Sequence, residues 1–172
     1  TLKAVLAQSY KNIEVIIVDD HSTDGTDKSV KNELLKLDHR IKYIKHNSTK
    51  GLATGRNTAI FNATGKYFTF CDDDDIWERN NLEKLINVFD RDNNNLGLAI
   101  SLNPNYKARW DKILPISPPL KSIILEGYTP PVGSQVYDLN LLKQVGGYDT
   151  RIRSGVDHDI WISLSVKNPL VG

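Results

Sequence analysis

Phe68-Thr69-Phe70-Cys71-Asp72-Asp73-Asp74-Asp75-Ile76-Trp77 carries an apolar, β-forming run directly into four consecutive carboxylates, with a tryptophan close behind. Four like charges in a row repel one another and make a poor buried strand. Read alone, the acidic run is a solvated loop. The sharper reading is a site for a divalent cation beside a phosphate-bearing ligand. Mg²⁺ and Mn²⁺ favour carboxylate oxygens, and one or two carboxylates plus substrate phosphates are a common arrangement. The choice between the two depends on where the run falls in the fold.

The same pattern occurs upstream. Ile13-Glu14-Val15-Ile16-Ile17-Val18 is a β-branched run that also ends in carboxylates, Asp19 and Asp20. Its near-continuous apolar character reads as a strand covered on both faces, as in a parallel sheet. Before it, Leu2, Val5 and Leu6 fall at helical spacing, predicting a helix that ends near residues 10–12. After it, Ser22-Thr23-Asp24-Gly25-Thr26 is turn and N-cap chemistry, leading into a helix with Val30, Leu34 and Leu37 on its inner face. Residues 41–44 form a further short strand. Residues 51–60 read as a glycine-bearing loop entering a helix that stops at Gly65. Arg56 there could face a phosphate at the helix start, against the plainer reading of a surface arginine.

Residues 66–71 are the strand that leads into the acidic run. Leu82, Leu85, Ile86 and Phe89 then give an i, i+3, i+4, i+7 helix. Residues 90–95 are a polar loop, and 96–102 another apolar strand. Residues 103–119, with Trp110 and scattered charges, follow no clear period and read as a long irregular loop. An extended stretch runs from Thr129 through Tyr137, and a short helix over 139–145 ends at Gly146-Gly147. Val156, Ile160 and Leu164 mark one face of a last helix, with Trp161 alongside and Asp157 and Asp159 in its first turn.

Strands alternating with helices predict an α/β domain with a mostly parallel sheet flanked by helices. Ligands of such sheets bind outside the carboxyl ends of the strands. Asp19-Asp20 and the acidic run both sit at such ends, which favours the binding-site reading.

The bulk numbers exclude several classes. The 172 residues suit one domain with a sizeable core. Twenty-two basic and 21 acidic side chains leave a net charge of +1, so bulk charge points to no nucleic-acid partner. The lone cysteine, Cys71, has no internal partner for a disulfide, which fits a reducing compartment, and its apolar setting reads as core packing. No stretch has the apolar length of a membrane-spanning helix, and none reads as a signal peptide. The chain contains no methionine and begins at Thr1, so we read it as part of something longer.

Five pieces in order resemble family 2 glycosyltransferases of the GT-A (Rossmann-like) fold: residues 8–26, 51–57, 70–77, Val145-Gly146-Gly147-Tyr148-Asp149, and Val156-Asp157-His158-Asp159-Ile160-Trp161. The resemblance implies one catalytic domain over residues 1–172. That domain would lack the family's usual first strand and be cut short at its C-terminus. It further implies that Asp20 meets the uracil of a UDP-sugar and that Arg56 contributes to donor binding. Asp73 would approach the ribose, and Asp74 would hold the Mn²⁺ or Mg²⁺ that bridges the diphosphate. In a strict strand Asp72 and Asp74 would point one way and Asp73 and Asp75 the other, but a turn is expected there. Asp157 matches the general base of inverting members; without the resemblance it reads as a first-turn helix carboxylate. Val156 stands where the family often carries Glu, Ser163 where it often carries Arg, and Gly55 where Ala is commoner.

The implied reaction moves a sugar from a UDP-sugar to a glycan or lipid-linked glycan acceptor, in the cytoplasm or at the cytoplasmic membrane face. Residues 103–119 and 130–135 are the segments expected to meet the acceptor. Peripheral membrane association would come through regions outside this chain, and no nucleic acid is implied. Two other classes stand beside it: a nucleotidyltransferase, which needs a glycine-rich, lysine-bearing loop at its first strand, and a non-catalytic binding module.

Overall fold

A computed structural model describes residues 1–91, 97–100 and 132–167. In chain order the elements are α1 (Leu2–Leu6), β1 (Val15–Asp19), α2 (Thr26–Ser29), a π-helical turn (Val30–Leu34), α3 (Leu35–Leu37), β2 (Ile41–Lys45) and α4 (Leu52–Asn62). Then follow β3 (Tyr67–Phe68), α5 (Asn81–Arg91), β4 (Leu98–Ile100), a 3₁₀ turn (Val132–Ser134), β5 (Gln135–Asp138), α6 (Leu139–Gln144) and α7 (Val156–Lys167). The expected loop at 103–119 and the start of the 129–137 stretch lie outside the described residues.

β1 and β2 pair in parallel, with Val15 opposite Ile41 and Asp19 opposite Lys45. The crossover between them is helical, as a parallel pair requires. A second sheet has the order β3-β5-β4, and β5 runs antiparallel to both neighbours. The architecture is thus α/β with a parallel pair and a reversed strand, β5, among the strands beyond it. Reversal follows from β5 approaching the acidic end of β3 from outside: its first residues lie near the β3 carboxyl end, and Asp138 pairs with Tyr67 at the other.

Several elements are shorter than the sequence predicts. α1 stops at Leu6 because Gln8 turns inward: its buried amide donates to the Glu78 carbonyl (2.7 Å) and accepts from the Leu82 amide (3.1 Å). The helix over 26–37 is interrupted by the π-helical turn, which brings Val30 inside while Leu34 is only half-buried. The strand expected over 66–71 keeps ladder pairing only at Tyr67 and Phe68. The side chain of Thr69 then donates to the Gln135 carbonyl at 2.6 Å, so contact with β5 continues through a side chain.

β5 separates two cores by its pleat. Val136 packs with Leu82, Leu85, Ile86 and Phe89 of α5. Tyr137 packs on the other side with Ile60, Leu142, Ile160 and Trp161. Gln135, fully buried on the same side, accepts hydrogen bonds from the Tyr137 hydroxyl and from Trp161 Nε1 (2.8 Å). That bond fixes α7 against the sheet.

Two contacts hold α4 in place. Glu14, just before β1, accepts from the Thr64 amide (2.6 Å), the Thr64 hydroxyl (2.9 Å) and the Gly65 amide (2.9 Å) after α4, and from Lys42 (2.9 Å). Asn57, within α4, brackets the backbone of Tyr148: its amide donates to the Tyr148 carbonyl (2.8 Å) and its Oδ1 accepts from the Tyr148 amide (2.7 Å). The approach is so close that a Cβ on Gly147 would stand 2.4 Å from Asn57 Oδ1, and Gly147 also has φ +71°.

Two outcomes follow. Partial burial pushes the Glu14 carboxyl up, but bonds from Lys42, Thr64 and Gly65 outweigh it and hold the group down at about 2, against an ordinary 4.5. Its stabilisation is therefore present above pH 4.5 and is lost as pH falls towards 2. Glu14→Gln should lower stability near neutrality by about 1–2 kcal/mol, allowing for its partial exposure, and flatten the acid limb of a urea-denaturation pH series. Gly147→Ala should cost about 2 kcal/mol or more from positive φ and the clash with Asn57, read as a lower thermal midpoint.

Candidate active site

The carboxylates at the end of β1 are divided by strand alternation. Asp19 is buried and faces its own sheet, accepting from the Ser22 amide (2.6 Å) and the Tyr43 hydroxyl (2.5 Å), with Lys45 at 3.7 Å. Burial pushes its carboxyl up, but these bonds and the lysine charge bring it down to about 2. Asp19 therefore secures the turn. The turn is tight enough to put His21 at φ +71°, the left-handed region that few side chains adopt.

Asp20 points across to α4. It accepts from the Lys50 amide (2.9 Å) and the Gly51 amide (2.8 Å), just before α4 begins, and contacts His46 Nδ1 at 2.7 Å. Buried His46 makes a second contact, from Nε2 to the Thr58 hydroxyl of α4 at 2.8 Å. Partial burial raises the Asp20 carboxyl, and the bonds to His46, Lys50 and Gly51 lower it below its ordinary value overall. An ionised carboxylate offers about four acceptor positions, and Asp20 already takes four contacts from three partners, since the Lys50 amide also reaches its second oxygen at 3.1 Å; a ligand N–H would share or displace one of them.

Between β1, α4 and the end of β3 lies a cleft of about 240 Å³. Ile16, Val18 and Phe70 contribute apolar walls, and Asp20, Arg56 and Asp72 contribute charged groups. Convergent polar groups on an apolar floor are the usual make-up of a ligand pocket. The structure thus brings together two of the residues singled out from sequence, Asp20 and Arg56. It adds Asp72, to which the resemblance gave no individual role. Its place as the first carboxylate after the apolar run, at the carboxyl end of the strand, is the signal that could have identified it.

The acidic run turns as expected. The Asp75 amide donates to the Asp72 carbonyl (3.1 Å), with Asp73 and Asp74 exposed at the apex. Neither lies in the cleft lining. The Thr1 hydroxyl is within 2.6 Å of the Asp73 carbonyl and 2.7 Å of the Asp75 carbonyl. Burial pushes the Asp72 carboxyl up; Arg56 opposes this, while Asp75, Asp74 and Asp157 add to it. The all-oxygen donor set and this accumulation of negative charge fit a hard divalent cation, which would relieve the repulsion. Among the described residues no three such groups converge into a closed cage. The run therefore suits a cation held by one or two carboxylates together with ligand phosphates. Cys71 is half-buried and lines the cleft rather than joining either core; its thiol, pushed up to about 11 mainly by burial, stays protonated near neutrality.

The plainer sequence reading of Arg56 as a surface arginine does not hold: it is only 8% exposed, and it lines the cleft. Its guanidinium carbon lies 5.2 Å from the ring centroids of both Phe70 and Tyr148, and it donates through Nη1 to Asp157 Oδ1 in the first turn of α7. Asp157, which lies outside the lining itself, is thereby joined to the cleft. Val156 is buried against the core, so the position where the family often has glutamate offers no carboxylate beside Asp157. His158, beside Asp157, is half-buried.

The sequence model described as Glycosyl transferase family 2 matches residues 1–137. An uncharacterized glycosyltransferase of Rickettsia conorii is 32% identical over 179 residues, covering 99% of this chain and 28% of that protein. The Escherichia coli UDP-Glc:alpha-D-GlcNAc-diphosphoundecaprenol beta-1,3-glucosyltransferase WfaP is 48% identical over 77 residues, 45% of this chain and 30% of its own length. The matched regions thus span less than a third of either relative. Among solved structures, the mannosyltransferase PcManGT from Pyrobaculum calidifontis, in complex with GDP-Man and Mn²⁺, superposes with a TM-score of 0.77 at 19% identity, over 99% of this chain and 48% of that one. TarS 1–349 of S. aureus, in complex with UDP, gives 0.75 at 21%, over 99% and 51%. At those identities the structural likeness establishes the fold, which is GT-A. The match over residues 1–137 establishes the rest: this chain belongs to glycosyl transferase family 2.

Proposed function

We propose that the protein transfers a sugar, with inversion, from a UDP-sugar to a hydroxyl of a glycan or lipid-linked glycan acceptor at the cytoplasmic face of a membrane. The observation that carries this reading is the cleft where Asp20, Arg56 and Asp72 converge, with Asp157 joined to it through Arg56. Support for the donor comes from Asp20: an ionised carboxylate accepts only, and so selects a base presenting an N–H, such as uracil N3. TarS, whose structure holds UDP, and the UDP-Glc-dependent relative point the same way. The ribose falls to the acidic turn, where Asp72 lines the cleft and Asp73 follows it.

Asp74, at the apex of the turn, would hold Mn²⁺ or Mg²⁺ with the donor diphosphate, and the cation supplies charge neutralisation for the departing diphosphate. The residues of the chain do the rest. Asp157 accepts the proton of the acceptor hydroxyl as that oxygen bonds to the anomeric carbon. The anomeric carbon–oxygen bond to the diphosphate breaks on the opposite face, which inverts the configuration. Proton transfer can come late, so position matters more than basicity.

In the full-length protein, calorimetry should show UDP binding that requires Mn²⁺ and weakens about tenfold or more in Asp74→Asn. Binding that persists unchanged in chelator, or GDP binding tighter than UDP, would sink the donor assignment. Asp157→Asn should lower transfer by about 10³-fold or more while leaving UDP affinity within about threefold. Unaltered turnover in that variant would place the base elsewhere.

A further inference from the structure

We infer that Arg56 is a positioning residue that acts through Asp157, rather than a ligand of the donor phosphates. The inference rests on the reading of Asp157 as general base. A guanidinium is normally solvated or set against an anion at the surface, and burying it without compensation is costly. Here the compensation is built from three separate parts of the chain. Phe70, leading into the acidic run, and Tyr148, after α6, each place a ring centroid 5.2 Å from the guanidinium carbon. Asp157, 101 residues away in sequence, accepts from Nη1. The aromatic contacts restrict where the guanidinium can go, and its planar donors can then hold the carboxylate in one orientation.

The backbone around Arg56 is held equally well. The next residue, Asn57, bonds both the amide and the carbonyl of Tyr148, so α4 and the ring beside Arg56 move as one piece. Asp157 is 30% exposed at its side chain, and among the described residues its second carboxylate oxygen has no hydrogen-bond partner. One oxygen is therefore anchored, and the other is left to meet an acceptor hydroxyl. The buried Val156 offers no neighbouring carboxylate, so Arg56 is the group that orients the base. Lysine cannot replace it fully, because a point ammonium lacks the planar donor geometry.

The test uses the full-length protein with Arg56→Gln, Arg56→Lys, Asp157→Asn and the Arg56→Gln/Asp157→Asn double variant. UDP affinity is measured by calorimetry with Mn²⁺. Turnover is read as UDP released from UDP-glucose, UDP-galactose or UDP-N-acetylglucosamine with membranes carrying lipid-linked acceptors. Arg56→Gln should reduce kcat about 10²-fold with UDP affinity and donor KM within about threefold, and Arg56→Lys should recover part of the loss. The double variant should be no slower than Asp157→Asn, since a residue acting through Asp157 has nothing left to position. If UDP affinity falls in parallel with turnover in Arg56→Lys, which keeps the charge, Arg56 is a donor ligand and the inference is overturned. Multiplying losses in the double variant overturn it too. Full turnover in Asp157→Asn instead brings down the general-base reading, a result distinct from either.

Discussion

A guanidinium ion removed from water has to be met by an anion and by polarisable surface, and the interior of this protein is arranged around that requirement at Arg56. Phe70 and Tyr148 supply the aromatic surface, and Asp157 supplies the charge. Each comes from a different element, so the ion pair links the strand end, the turn after α6 and the start of α7. The link also imposes local conditions. Tyr148 must stay beside Arg56, which is why Asn57 grips its backbone and why the preceding residue has no side chain. Breaking a buried pair on one side leaves an uncompensated charge, so these contacts stand or fall together.

The strand ends show how one residue type is put to several uses by geometry alone. Asp19 and Asp20 are adjacent and chemically identical. Strand alternation turns Asp19 into its own sheet, where the Tyr43 hydroxyl and the Ser22 amide consume it. Asp20 is turned towards α4, where it joins His46 and the amides before the helix at the rim of the cleft. In the acidic run the same division recurs: of three exposed carboxylates, Asp72 lines the cleft, while Asp73 and Asp74 stand at the turn outside its lining. Carboxylates that share a small volume raise one another, and this is the condition a divalent cation would relieve.

Much of the fold was legible because its signals are local. The β-branched run before Asp19 and the apolar spacing of Leu82, Leu85, Ile86 and Phe89 gave β1 and α5 directly. Errors came where a distant residue overrode local preference. α1 ends early because Gln8 is drawn to Glu78 and Leu82, a contact that helical spacing cannot reveal. β3 loses its ladder after Phe68 because a side chain, Thr69, takes over the contact with β5. The direction of β5 was not readable either, since an extended run looks the same whichever way it pairs.

For the site, the sequence by itself determined which residues were in play: the paired aspartates after β1, the acidic run, the arginine after the glycine loop and the aspartate opening α7. Their types and order along the chain were enough to indicate a family and a chemistry. Only the tertiary structure decided who meets whom. Arg56 and Asp157 carry no mark of each other across 101 residues, and burial of the arginine is visible only once Phe70 and Tyr148 are in place. The physical reason is that charge pairing and desolvation depend on distances through space, and in an α/β fold these are set by the packing of helices on the sheet rather than by separation along the chain.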